Sequence, residues 1–336
     1  MNNFKKIGMT ALAASLVSTS VFAGELAVTG SAAMNYENYK ADKAGGTASS
    51  GTKAFSMGNQ ITFKGSGELD NGLTVSLSFV LDQNDDSTAS SSAYSGGPFD
   101  SHSVSIASDT FGTLKLHGEG GDSAQNAVGD TAAGNIWDLW DKRNGKSSKL
   151  KESRAGDNIF HYTLPTMVDG LAVSTSYTPA TGEDESDNAY ALTYTGVEGL
   201  TVNYGVGSSD GQTAGAGDTT KNADTTSIKL AYAYGPVTLA YSDHEHDSNT
   251  ATADQDVTAF KLSYTVSDAI SVSYAEEEME SGTAADQDAK YSKISASYTA
   301  GGMTLSGNMS EMENGDYSTA ASADEEYVGL SVSFAF

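Results

Sequence analysis

From Glu25 to the C-terminus, apolar and polar side chains alternate with a period of two, broken by turns and loops. Successive side chains of a β-strand point to opposite faces, so each run has one apolar and one polar face. Leu26, Val28, Met34 and Tyr36 share one parity, while Thr29, Ser31 and Asn35 take the other. Farther on, Leu73, Val75, Leu77, Phe79 and Leu81 stand against Thr74, Ser76 and Ser78. This grammar repeats through sets such as Leu200-Val202-Tyr204, Phe260-Leu262-Tyr264 and the final Val328, Leu330, Val332, Phe334 and Phe336. It predicts sixteen strands.

The connections alternate as regularly as the side chains. Short ones, such as Asp70-Asn71-Gly72 and Gly235-Pro236, take turns with long ones at 40–52, 83–99, 120–155, 179–188, 207–224, 243–255, 277–288 and 313–324. Asn-Gly is the preferred sequence of a tight hairpin. Long loops therefore leave one end of the sheet and tight turns close the other. The segments NGLTVSLS, DGLAVSTS, EGLTVNYG and GPVTLAYS read as degenerate copies, a repeat of about one hairpin.

A leader precedes the strands: Lys5 and Lys6, an apolar core from Ile7 to Val17, and Val21-Phe22-Ala23 ending in a small residue. That is the layout of an export signal over residues 1–23, with the remainder, 24–336, as one domain. Losing the two leader lysines takes the formal charge from −26 to −28. So acidic a chain repels nucleic acid. Cysteine is absent, which excludes disulfides and thiolate metal sites.

A soluble β-sandwich has no need of outward tyrosines at strand ends. A membrane barrel needs an even number of strands, an outward apolar band and aromatic girdles, and it must close because an open edge leaves backbone groups unpaired in lipid. The pattern meets these conditions. The expected fold is all-β, a 16-stranded antiparallel transmembrane β-barrel.

With its export signal ending VFAGE, its alternating strands, its long third loop and its terminal SVSFAF, the whole mature chain resembles a general bacterial outer-membrane porin of the alphaproteobacterial type. The resemblance implies a homotrimer in the bacterial outer membrane, in contact with its lipid and lipopolysaccharide. It also implies that the third loop, 120–155, folds inward as a constriction whose carboxylates face basic residues on the opposite wall.

That loop holds both tryptophans, Trp137 and Trp140, and both arginines, Arg143 and Arg154. Ile136, Trp137, Leu139 and Trp140 have helical spacing and suit a loop pinned to the wall; the alternative is an outward loop touching membrane or a neighbour. Loop carboxylates available to the pore are Asp122, Asp130, Asp138 and Asp141, with Glu119 at the strand end. On the wall, Lys64, Lys229, Lys261 and Lys293 have inward parity, each six residues before a short turn. Equal distance from one end predicts a discontinuous basic ring; alternatively each lysine pairs with a carboxylate and holds the wall.

The expected function is passive diffusion of small hydrophilic solutes and ions, with a weak cation preference from the net charge. The alternative, a solute-specific channel, needs inward aromatics or an arginine cluster. No catalytic set emerges, and no cofactor. His244 and His246 read as solvated in an acidic loop. The acidic clusters Asp85-Asp86, Glu183–Asp187 and Glu276–Glu280 offer the oxygen ligands calcium favours, without an EF-hand spacing. Strands one to five offer a single outward tyrosine, Tyr36, and the small residues Gly30, Ala32, Gly65 and Gly67. Tyr and Trp favour the lipid interface, so this sector is expected to face another subunit, with loop 83–99 reaching over it.

Overall fold

The computed structural model describes residues 24–41, 53–82, 99–141, 148–180, 186–209, 223–320 and 323–336. The leader, most of loop 83–99 and Arg143 lie outside them. The first eight barrel strands are β1 (Glu25–Ala41), β2 (Lys53–Glu68), β3 (Thr74–Asp82), β4 (Ser101–Ser108), β5 (Gly112–Glu119), β6 (Ile159–Thr163), β7 (Leu171–Thr178) and β8 (Asp187–Tyr194). The second eight are β9 (Leu200–Ser208), β10 (Ala223–Tyr234), β11 (Val237–Ser248), β12 (Gln255–Ser267), β13 (Ile270–Ser281), β14 (Ala289–Ala300), β15 (Met303–Glu313) and β16 (Glu325–Ala335). Each pairs antiparallel with its neighbours, and β1 pairs with β16 to close the barrel.

Closure follows from alternation in a solvent without water: an open edge in hydrocarbon costs several kcal/mol per unpaired group. At the seam, Gly30 and Phe336 exchange both backbone hydrogen bonds, at 2.7 and 2.9 Å. A side chain on Gly30 would meet the Phe336 ring at 2.6 Å, so the glycine leaves room for the last residue of the chain. Short turns use the expected chemistry: Gly72 has φ +79°, and the Leu73 amide donates to Asn71 Oδ1 at 3.2 Å.

The outward face carries exposed Leu230, Leu239, Leu262, Val272 and Leu305, with Tyr177, Tyr204, Tyr232, Tyr241, Tyr264, Tyr274 and Tyr298 also exposed. In the β1–β2 sector the outward residues are Met34, Met57 and Phe55, the last 87% exposed, with Tyr36 tilted against Phe55 at 5.3 Å between ring centroids.

Two stretches expected as loops are strand. β11 runs through His244 and His246 to Ser248, and β13 runs through Glu276–Glu280 to Ser281. Their outward residues here are charged rather than apolar, so the alternation of hydrophobicity fades while the ladder continues. His244 and His246 are therefore inward and buried, not solvated, and Glu277 is 2% exposed. Among the described residues no three histidine, aspartate or glutamate side chains form a metal-sized group.

The seam yields a prediction. In G30V the added methyls collide with Phe336, and overpacking of this kind costs about 1–3 kcal/mol. The temperature at which the folded barrel unfolds on electrophoresis should fall. G65A, whose side chain would meet nothing within 4 Å, should leave that temperature unchanged.

Candidate functional site

The segment between β5 and β6 folds into the barrel. A short ribbon pairs Gly121 with Gly156 and Asp122 with Ala155, and above it the neck is zipped by Ser123 N–H to the Arg154 carbonyl at 2.9 Å. Gln125, fully buried, accepts from the Ser153 amide at 2.9 Å and from its hydroxyl at 2.7 Å. Beyond come α1 (Asn126–Gly129) and a 3-10 turn at Ile136–Trp140.

Buried backbone groups need partners, and the wall supplies them as side chains. The Ala124 amide donates to Ser176 Oγ on β7 at 2.8 Å, and the Ala132 amide to Ser242 Oγ on β11 at 2.7 Å. Gln255 on β12 accepts from the Lys151 amide at 2.8 Å and donates to the Lys149 carbonyl at 2.9 Å. A ring nitrogen of His244 lies 2.7 Å from the Lys151 carbonyl. Tyr39 on β1 donates to the Leu139 carbonyl at 2.8 Å. The wall also makes space: a methyl on Gly205 would meet Val128 at 2.9 Å, and one on Gly207 would meet Ser153 Oγ at 2.5 Å.

The tip is held by Glu277. Its carboxylate accepts from the Thr131 hydroxyl at 2.5 Å and from the backbone amides of Trp137 at 3.1 Å and Ile136 at 3.4 Å. It thus satisfies the first N–H groups of the 3-10 turn, which have no partner within the turn. Beside it Trp140, 0% exposed, packs on Tyr291 at 5.7 Å and edge-on to Tyr327 at 6.3 Å. The loop therefore tracks the inner wall from β7 round to β1. Among the described residues the loop touches the β2–β6 wall only at its neck, where a ring nitrogen of His161 on β6 lies 3.4 Å from the Asp122 carbonyl and Gly121 packs on His117; above that the wall is left uncovered.

The expected charged residues take several different positions. Lys229 donates to the Asp130 carbonyl at 2.7 Å and so holds the loop. Lys261 and Lys293 each pair in register with Ala275, placing them on one level, roughly 10 Å apart across two strand spacings. Asp138 is exposed, and its charge reaches Lys293. Lys64 is exposed on the free wall and interacts with Lys115, which in turn faces Asp122. Asp141 pairs with Lys149 at 2.7 Å, and Arg154 lies half-buried at the neck. Glu119 is displaced. The pairing of His102 with Glu119, next to Ser103 with His117, leaves Gly118 as a bulge. A bulge shifts the alternation by one residue. Glu119 thus lies 3.7 Å from His102, on the outward face of Val104 and Ile106, instead of facing the lumen.

Sequence reasoning missed Glu277, Lys115 and Glu152. Lys115 sits on a strand running opposite to the four lysines, so a fixed distance before a turn does not find it, although its parity does. Glu277 was one acid in a run of acids. Burial, then repulsion from Asp130 and Asp122, push the Glu152 carboxyl up to about 7 against the pull of Lys229.

Replacing Glu277 by Ala strands two amides and a hydroxyl in a buried site, at about 1–3 kcal/mol for each donor left unpaired. E277A should release the loop tip and raise single-channel conductance. Because both tryptophans of the chain lie at that tip, their emission should shift to the red together with the conductance; an unmoved spectrum counts against the latch.

Several known proteins share this architecture. The family model described as Gram-negative porin matches residues 8–317. The anion-selective porin from Comamonas acidovorans superimposes with a TM-score of 0.66 at 15% identity, covering 93% of this chain and 100% of that one. A mutant of the Rh. blastica porin gives 0.64 at 15% identity, with the same coverage. A porin structure refined at 1.8 Å gives 0.63 at 18% identity, again covering 93% and 100%. No curated protein matches the sequence. The structural likeness at these identities is one of fold, and the match over nearly the whole sequence settles membership: the chain belongs to the family of Gram-negative porins, channels of the bacterial outer membrane.

Proposed function

We propose that the protein is a diffusion channel for small hydrophilic solutes and ions with a weak preference for cations. The observation that carries this reading is the loop seated along β7 to β1, which leaves a passage bounded by the loop's carboxylates on one side and the free β2–β6 wall on the other. Asp122, Asp130 and Glu152 form one acidic group on the loop; Lys64 and Lys115 lie on the wall across from it. Opposed charges in a narrow passage set up a transverse field that sorts solutes by charge. Two of the basic residues of the supposed ring are not facing solute in the same way: Lys229 binds the loop backbone, and Lys293 lies near Glu277. The formal charge of the chain without its leader, −28, adds to cation accumulation at the mouth, within roughly 10 Å at 0.1 M salt. The Comamonas porin is described as anion-selective; the acidic loop face and net charge favour the opposite sign here.

In planar bilayers the protein should give stepwise, ohmic conductance, and a salt gradient should give a reversal potential of cation-preferring sign. The double variant K64Q, K115Q should increase that preference without altering tryptophan emission, since neither lysine holds the loop. Folded protein that is electrically silent excludes the channel, and a wild-type anion preference excludes the assigned sign.

The reading extends to a homotrimer formed through β1–β5 in contact with lipopolysaccharide. It is supported by the exposed Met34, Phe55 and Met57 and by the small outward residues beside them. Gly65 offers a clean test because a side chain there meets nothing in its own barrel. G65W should leave the barrel folded and lower the oligomer's heat resistance; an unchanged oligomer places the interface elsewhere.

A further inference from the structure

Glu152, half-buried, differs from Glu277, the fully buried acid of the site. Glu277 receives three donors, whereas Glu152 receives one, Asn126 Nδ2 to Oε2 at 3.2 Å. Its Oε1 is buried and has no hydrogen-bond partner among the described residues. Gly129 leaves room for that oxygen, since a methyl there would collide with it. A carboxylate wants acceptor sites filled by donors, while a carboxylic acid tolerates a dry oxygen. The charged groups acting on it are Asp122 and Asp130 on the loop and Lys229 on β10. Lys229 donates to the Asp130 carbonyl, and the neighbouring Lys151 donates to the Ala253 carbonyl at 2.6 Å. Arg154 follows two residues on.

We propose that Glu152 is a proton-binding selectivity residue of this channel, which switches the loop's acidic group between two charges and three. The inference rests on the channel reading above and concerns what that channel admits. Protonated, Glu152 leaves Asp122 and Asp130 to face Lys64 and Lys115. Ionised, it adds a third negative charge behind them, and the passage favours cations more strongly. Its ionisation is centred near pH 7, where burial and the two aspartates set it. The sign follows: an acid held protonated to higher pH releases its proton, and adds its charge, as pH rises through that value.

The test is the reversal potential of wild-type protein in a potassium chloride gradient between about pH 5.5 and 8.5, a window above the ordinary carboxylate range that brackets the raised one. Cation preference should rise with a midpoint near pH 7. His117 and His161, on β5 and β6 with ring centroids 6.5 Å apart, would act on selectivity with the same sign wherever they lost a proton, so variants separate the two sources. E152Q should abolish the step, and the double variant H117N, H161N should retain it. G129A, which pushes the carboxyl towards water, should move the midpoint to lower pH and covers the case in which E152Q does not fold. A step that persists in E152Q, that is lost with the histidines, or that G129A leaves in place overturns the assignment. Steady conductance with no pH step refutes the role of Glu152 while the channel stands; absence of conductance at every pH refutes the channel itself.

Discussion

Backbone N–H and C=O groups removed from water must find partners inside the protein, and everything in this molecule is arranged around that demand. In the membrane the partners are neighbouring strands, which is why β16 returns to β1 and why Gly30 and Phe336 exchange hydrogen bonds at the seam. Inside the barrel the same demand falls on a loop with little regular structure. Its amides cannot pair with one another over most of its length, so wall side chains take them: Ser176, Ser242, Gln255 and, most of all, Glu277. Leaving such a group unpaired costs about 1–3 kcal/mol, so a loop with several such groups has one well-defined seat.

That seat makes the lumen unequal. From β7 to β1 the wall carries small residues and hydroxyls that accommodate the loop, with Gly205 and Gly207 as the closest approaches. From β2 to β6 the wall carries Lys64 and Lys115, with His117 and His161 against the loop's neck, and the described part of the loop leaves the rest of it to solute. Charges that alternation alone makes equivalent therefore do different work. Lys229 is a strut for the Asp130 carbonyl, Lys261 and Lys293 flank Ala275 beside the latch, and Lys64 with Lys115 faces the passage. In a passage of low dielectric such differences of a few ångströms decide which charge a solute feels, since Coulomb energy at 4 Å rises from about 1 kcal/mol in water to about 4 at an effective dielectric of 20.

The errors of sequence reading have two causes: a bulge that resets parity, and outward charges that hide a strand whose parity continues. Gly118 is an extra residue on β5, and it turns Glu119 from lumen to outer face. In β11 and β13 the outward residues change from apolar to charged, so hydrophobicity ceases to mark the strand, and His244, His246 and Glu277 were assigned to loops although they point inward and are buried. Arg143 lies outside the described residues, as do Asp85 and Asp86 and most of the Glu183–Asp187 cluster.

The sequence by itself determined the barrel. A period of two, sixteen times over, with tight turns and long loops taking turns, specifies the strands, their faces, the ends at which they connect and the residues that meet lipid, because each depends on neighbours within one hairpin. It also marked the third loop through its two tryptophans. Which wall the loop chooses, which acid latches it and which lysines remain free were decided by tertiary structure. Thr131 and Glu277 are 146 residues apart, and Tyr39 and Leu139 are 100 apart; such pairs meet because the sheet has closed, and no local pattern of side chains encodes a contact that exists only after closure.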